Sequence, residues 1–95
     1  METIFKYVLN AANVQMIEMP EGATVLTLQV QHESPCVWVK VDPDAPAVKR
    51  RFVTYGTGHP CDDGPAKHYV GTYQVRDGAL VYHVFTDGIE YPKDA

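Results

Sequence analysis

The densest chemistry in this sequence lies in Tyr55-Gly56-Thr57-Gly58-His59-Pro60-Cys61-Asp62-Asp63-Gly64-Pro65, directly after a segment that reads as a strand. Two glycines separated by one residue bring backbone N–H groups near an anion, and Thr57 and His59 add side-chain donors. The dinucleotide fingerprint is incomplete, because Cys61 stands where a third glycine is needed and no helix follows to aim its N-terminus at phosphate. Gly-Lys-Ser/Thr is absent, which excludes a P-loop. A plainer reading competes with the ligand reading: the glycines serve a tight strand exit, and Asp62-Asp63 is a solvated turn.

A second candidate is Lys49-Arg50-Arg51, the one local departure from an acidic balance. A short charge run is commonly solvated surface, but arginine's planar fork suits a phosphate or carboxylate. The expected ligand site therefore joins Lys49, Arg50 and Arg51 to Gly56, Thr57, Gly58 and His59, flanked by Tyr55, Thr72 and His83. Its fitting ligand is a small anion. Trp38, in an otherwise polar strand face, is either a second-core residue or a contact for a protein partner.

Catalytic and metal chemistry find less support. The only serine, Ser34, sits in a turn beside Pro35 without a nucleophile-elbow context. Cys61 near His59 could form a thiolate pair, but activation needs a spatial geometry and neighbouring groups that the sequence does not supply. His59, Cys61, His68 and Cys36 do not form the paired spacings of a zinc site, so neither a metal nor a cofactor is expected. A nucleophile, base and oxyanion donor cannot be assembled, and an enzyme is not the expectation.

Composition bounds the rest. The chain has 95 residues, 45% of them apolar and 21% charged, which fits one globular domain over residues 1–95. A net charge of −4 opposes attraction to a nucleic-acid duplex. Apolar runs are far shorter than the roughly 18 residues of a membrane span, and the opening residues do not read as a signal peptide. Cys36 and Cys61 read as reduced thiols.

Turn signals cut the chain into strand-sized pieces over residues 3–9, 14–19, 24–31, 36–41, 51–55, 69–76 and 79–86, rich in Val, Ile, Thr and aromatics. No segment suits a helix of more than a turn. The fold class is all-β: a small antiparallel sandwich or partly closed barrel of about seven strands. A type I′ turn at Asp77-Gly78 pairs Val75 with Leu80, Tyr73 with Tyr82 and Gly71 with Val84. A second hairpin about His32-Glu33 pairs Leu28 with Val37, Leu26 with Val39 and Thr24 with Val41, although those turn residues are poor type I′ formers. The expected core is Leu26, Leu28, Val37, Val39, Tyr73, Val75, Leu80, Tyr82 and Val84. Val25, Trp38, Val70, Val81 and Phe85 remain as a second apolar set, which points to a homodimer or higher homo-oligomer.

Thr3-Ile4-Phe5-Lys6-Tyr7, Met19-Pro20-Glu21-Gly22-Ala23, Pro35-Cys36-Val37-Trp38, Val41-Asp42-Pro43-Asp44-Ala45-Pro46, Gly56-Thr57-Gly58-His59-Pro60 and the run from Gly78 to Phe85 together resemble a family of small, uncharacterised proteins encoded by phages and prophages. The resemblance spans nearly the whole chain and brings no catalytic residues. It implies a phage origin without assigning an activity. Because small accessory phage proteins often act by binding, the expectation is a nonenzymatic accessory binder in the host cytoplasm, countering host defence by sequestering a small anionic, nucleotide-like signal or by occluding a defence protein. A structural or assembly protein of the virion is the alternative.

Overall fold

The computed structural model describes residues 1–61 and 68–95; Asp62-Asp63 lies outside the described residues. Seven strands alternate with short connections: β1 (Thr3–Val8), β2 (Val14–Pro20), β3 (Thr24–Gln31), β4 (Ser34–Val41), β5 (Ala47–Gly56), β6 (His68–Val75) and β7 (Leu80–Pro92). No helix occurs among the described residues, and none is therefore long and apolar enough to cross a membrane.

The strands form two antiparallel sheets, one ordered β1-β4-β3 and the other β2-β5-β7-β6. The sheets stay separate, giving an open sandwich rather than a barrel. Alternation explains the packing, because successive strand residues face opposite sides. Val37, Val39 and Val41 of β4 are fully buried and meet Phe52 of β5, Val84 of β7, Met19 of β2 and Leu28 of β3 in one core. Gly71 lets β6 close on β3, since a Cβ there would stand 2.8 Å from Cβ of Leu28.

The β6–β7 register agrees with the reading from sequence: Val75 pairs Leu80, Tyr73 pairs Tyr82 and Gly71 pairs Val84. The turn differs in detail, because Arg76 joins Asp77 and Gly78 in the left-handed region (φ 53°, 55° and 88°). The β3–β4 hairpin does turn at His32-Glu33, both with positive φ. Its register holds from Gln31↔Ser34 to Thr27↔Trp38 and then slips, so that Val25, not Leu26, faces Val39, and Thr24 faces Lys40, not Val41. A β-bulge falls at Leu26, which is left 48% exposed beside the cleft it helps to line, and this corrects its expected core position.

Three other expected core residues are also corrected: Val75 and Tyr82 are half-buried and Leu80 is exposed, beside a cleft at one end of the sandwich. Tyr73 is half-buried and packs against the core. From the second apolar set, Val25 and Val70 pack against the core and are not left for a partner. Two strands are longer than expected: β5 begins at Ala47, and β7 runs to Pro92 through an irregularity around Asp87-Gly88.

Candidate functional site

The residues of the expected site fall into four groups, and the strand geometry explains why they separate. Lys49, Arg50 and Arg51 are consecutive on β5, so their side chains alternate between the two faces of the sheet. Arg51 and Thr57 are six residues apart along a strand and its exit, about 20 Å at the usual rise. A small ligand cannot span them, and this corrects the expectation that the cluster and the loop converge.

The outward face of the four-stranded sheet carries a closed polar chain. Tyr55 pairs with His83 and His83 with Thr72 across the strands, one row above Val53, Phe85 and Tyr69. The Phe85 ring meets Tyr55 and Tyr69 edge-on at 5.8 and 5.5 Å between centroids. The Tyr69 phenol lies 2.5 Å from Thr72 Oγ1, Thr72 Oγ1 lies 3.0 Å from His83 Nδ1, and His83 Nε2 lies 2.7 Å from Thr57 Oγ1. Thr57 donates onward to the Val81 carbonyl at 3.3 Å. One direction satisfies every link: Tyr69 donates to Thr72, Thr72 to Nδ1, and Nε2–H to Thr57. Both ring nitrogens of His83 are thus committed within the protein.

At the far end of this face, Lys49 donates to the Ala95 carbonyl at 2.8 Å. Arg51 is half-buried with Nη1 lacking an acceptor, and its carbonyl accepts from Thr86 Oγ1 at 2.8 Å. Close by, the Tyr91 phenol donates to Asp87. That bond, helped by desolvation and the Asp87 charge, raises the Tyr91 pKa above its ordinary value, and Arg51 opposes the shift.

The Gly56–His59 segment is a turn with two of its backbone donors in use. Thr57 N–H donates to the Val81 carbonyl at 3.1 Å and His59 N–H to the Gly56 carbonyl at 3.0 Å. Gly58 has φ +86°, which favours glycine. Gly56 beds the His59 ring, because a Cβ there would lie 2.9 Å from Nδ1 and Cε1. Trp38 faces outward on the three-stranded sheet between Lys6 and Thr27, half-buried, so it is not part of the shared core. Cys36 is buried and Cys61 exposed, and both are free.

Arg50 alone turns inward. It is 8% exposed, and Nη1 donates to the Ala23 carbonyl at 3.0 Å. Nε has no acceptor, and Arg50 takes part in neither ion pair found among the described residues. Its cross-strand neighbour Glu90 is the nearest carboxylate in register, but that carboxylate accepts from Gly22 N–H at 2.6 Å. The guanidinium lines a cleft of about 370 Å³ between the sheets, with Thr24, Val25, Leu26, His68 and Val70 among its walls. Gly88, at φ +75°, is required at its edge: a Cβ there would stand 3.1 Å from the His68 ring.

A charge removed from water without a counter-charge carries a desolvation penalty of several kcal/mol. A guanidinium so placed is the group on which a bound anion would have the largest effect. His68, Thr24, Val25 and Val70 were not among the residues expected from sequence to bind the ligand. Gly88, inside a strand, was the available signal, since such a glycine marks a bulge or a close approach. At the other end of the sandwich, Tyr73, Tyr82, Arg76 and Asn10 border a second cleft of about 320 Å³, but there the cation is solvent-exposed on a turn.

No curated protein and no solved structure matches this chain. A family model does match, over residues 1–93: the chain belongs to the family described as a domain of unknown function, DUF7352.

Proposed function

We propose that this protein is a phage-encoded, nonenzymatic binding protein that sequesters a small anionic, nucleotide-like ligand of the host's defence in the cleft at Arg50. The supporting observation is the buried Arg50 with one backbone acceptor, an unpartnered Nε and no ion pair among the described residues. A phosphate or carboxylate would complete it through charge-assisted hydrogen bonds, with His68 and Thr24 as further polar walls. Val25, Leu26 and Val70 offer apolar surface to the uncharged part of the ligand. The cleft volume lies at the lower end of the range for small-molecule sites, which suits a mononucleotide better than a larger molecule.

Native mass spectrometry of protein purified from infected cells tests this reading, followed by calorimetric titration with inorganic phosphate and nucleoside monophosphates. The expected result is a retained small anion, released intact on denaturation, whose capture falls about tenfold or more in Arg50→Met. A copurifying host protein with no small ligand would replace this reading by occlusion of a protein target. Appearance of the chain in purified particles would replace it by a role in the virion.

A further inference from the structure

β1 is an edge strand whose usual protection is missing. One side pairs with β4 without interruption, from Thr3↔Val41 to Val8↔Cys36, and the other side has no strand partner among the described residues. Such an edge is a template for another strand unless a bulge, a proline or a projecting charge blunts it. β3 has its bulge at Leu26 and β6 a register shift between Tyr69 and Gly71, whereas β1 has neither. Its two charges lean back over the sheet: Lys6 Nζ donates to Gln31 Oε1 at 2.8 Å, and Glu2 pairs with Lys40 at 3.3 Å. Ile4 and Val8 are left 56% and 57% exposed.

The geometry points to a homodimer formed by antiparallel pairing of β1 with β1 of a second copy, with Ile4 on the twofold axis. A twofold contact requires that if residue i meets j, then j meets i. Centred on Ile4, this rule sets Glu2 opposite Lys6 of the second copy, twice, and Thr3 opposite Phe5. Opposite charges directly across a strand pair are favourable, and like charges are not. A centre on Lys6 would place two lysines together. The other unbulged edge, β2, has Glu18 but no basic residue on the strand or beside it, and cannot complement itself in this way. An open hollow of about 380 Å³ bordered by Glu2, Thr3, Ile4 and Lys40 lies at the proposed axis, where the Ile4 side chain of the second copy would pack. The result is a continuous six-stranded sheet, β3-β4-β1-β1-β4-β3, with both four-stranded sheets on one side. Arg50 and its cleft lie on other strands, so the dimer stands or falls independently of the ligand reading.

Sedimentation equilibrium of the intact chain is the test, on the wild type and two charge variants. The wild type should dimerise, Lys6→Glu should weaken association about tenfold or more by opposing Glu2, and Glu2→Lys combined with Lys6→Glu should restore it. Ile4→Cys, made with Cys61→Ser to remove the exposed thiol, should cross-link under mild oxidation, since directly paired Cβ atoms lie about 4.5–5.5 Å apart. A strict monomer at about 1 mM would overturn the proposal. So would a dimer that ignores Lys6→Glu and fails to cross-link through Ile4→Cys. Restoration by the double variant separates a lost contact from a lost fold.

Discussion

The four-stranded sheet carries two polar constellations, and they differ in completeness. On its outward face Tyr69, Thr72, His83 and Thr57 pass hydrogen bonds in one direction until they end on a backbone carbonyl. On its inward face Arg50 has one backbone acceptor and a buried Nε without a partner, and the residue forms part of the wall of a cleft. A finished network rigidifies the strands that bear it and has no donor left to offer. An unfinished one stores a penalty that a ligand can relieve. On the proposed reading, residues of similar chemistry divide into structural and binding roles according to whether the protein itself satisfies them and whether a cleft adjoins them, as it does Arg50 but not Arg51.

That division is open to attack by substitution. The scale is set by packing: Phe52, next to Arg50 in the inward row of β5 and fully buried, should lose about 3–5 kcal/mol as Phe52→Ala in chemical denaturation. Arg50→Met should then separate binding from folding. Capture of the anion should fall about tenfold or more, while ligand-free stability holds or rises, because replacing an uncompensated buried charge by an apolar side chain is often neutral or stabilising. A large drop in melting temperature would place Arg50 with the structural group instead.

His83→Ala should show the reverse pattern. Loss of its bonds to Thr57 and Thr72 should lower stability by about 1–2 kcal/mol and leave anion capture unchanged. If capture falls with it, the outward face belongs to the site. The smallest effect concerns Tyr73, inward-facing beside the second cleft, where desolvation and then the Tyr82 charge raise its pKa. With the folded value above the unfolded one, this contribution to stability is complete below about pH 10 and is lost as pH climbs through the folded pKa. Tyr73→Phe should therefore flatten the alkaline limb of the stability profile, and an unchanged limb would remove Tyr73 as its source.

Local features of the fold are legible in the chain. Asp77-Gly78 bounds two alternating segments, and the turn between them fixes which residues meet, so the β6–β7 register follows from the order of residues alone. The bulge at Leu26 does not, because it depends on whether Val25 or Leu26 fits better against the opposite sheet, and that sheet is assembled from distant strands. The partition into β1-β4-β3 and β2-β5-β7-β6 is non-local for the same reason. Within the site, Arg50 is visible as a cation, and its separation from Lys49 and Arg51 follows from the two-residue period of a strand. Its neighbours Thr24, His68 and Val70 reach it only through tertiary pairing, which nothing in their own sequence context announces.

The strand order has a kinetic consequence. Only β3–β4 and β6–β7 are hairpins, while β1 must find β4, β2 must find β5, and β5 must find β7 across long stretches of chain. Loop closure on that scale precedes the contacts that reward it, so folding should be slow for a chain of this size, with the two hairpins as its earliest structure. The Arg50 cleft draws on β3, β5, β6 and β7, and comes into being only when both sheets have met. A newly made copy would therefore complete the Arg50 cleft, and with it the proposed anion site, only at the end of folding.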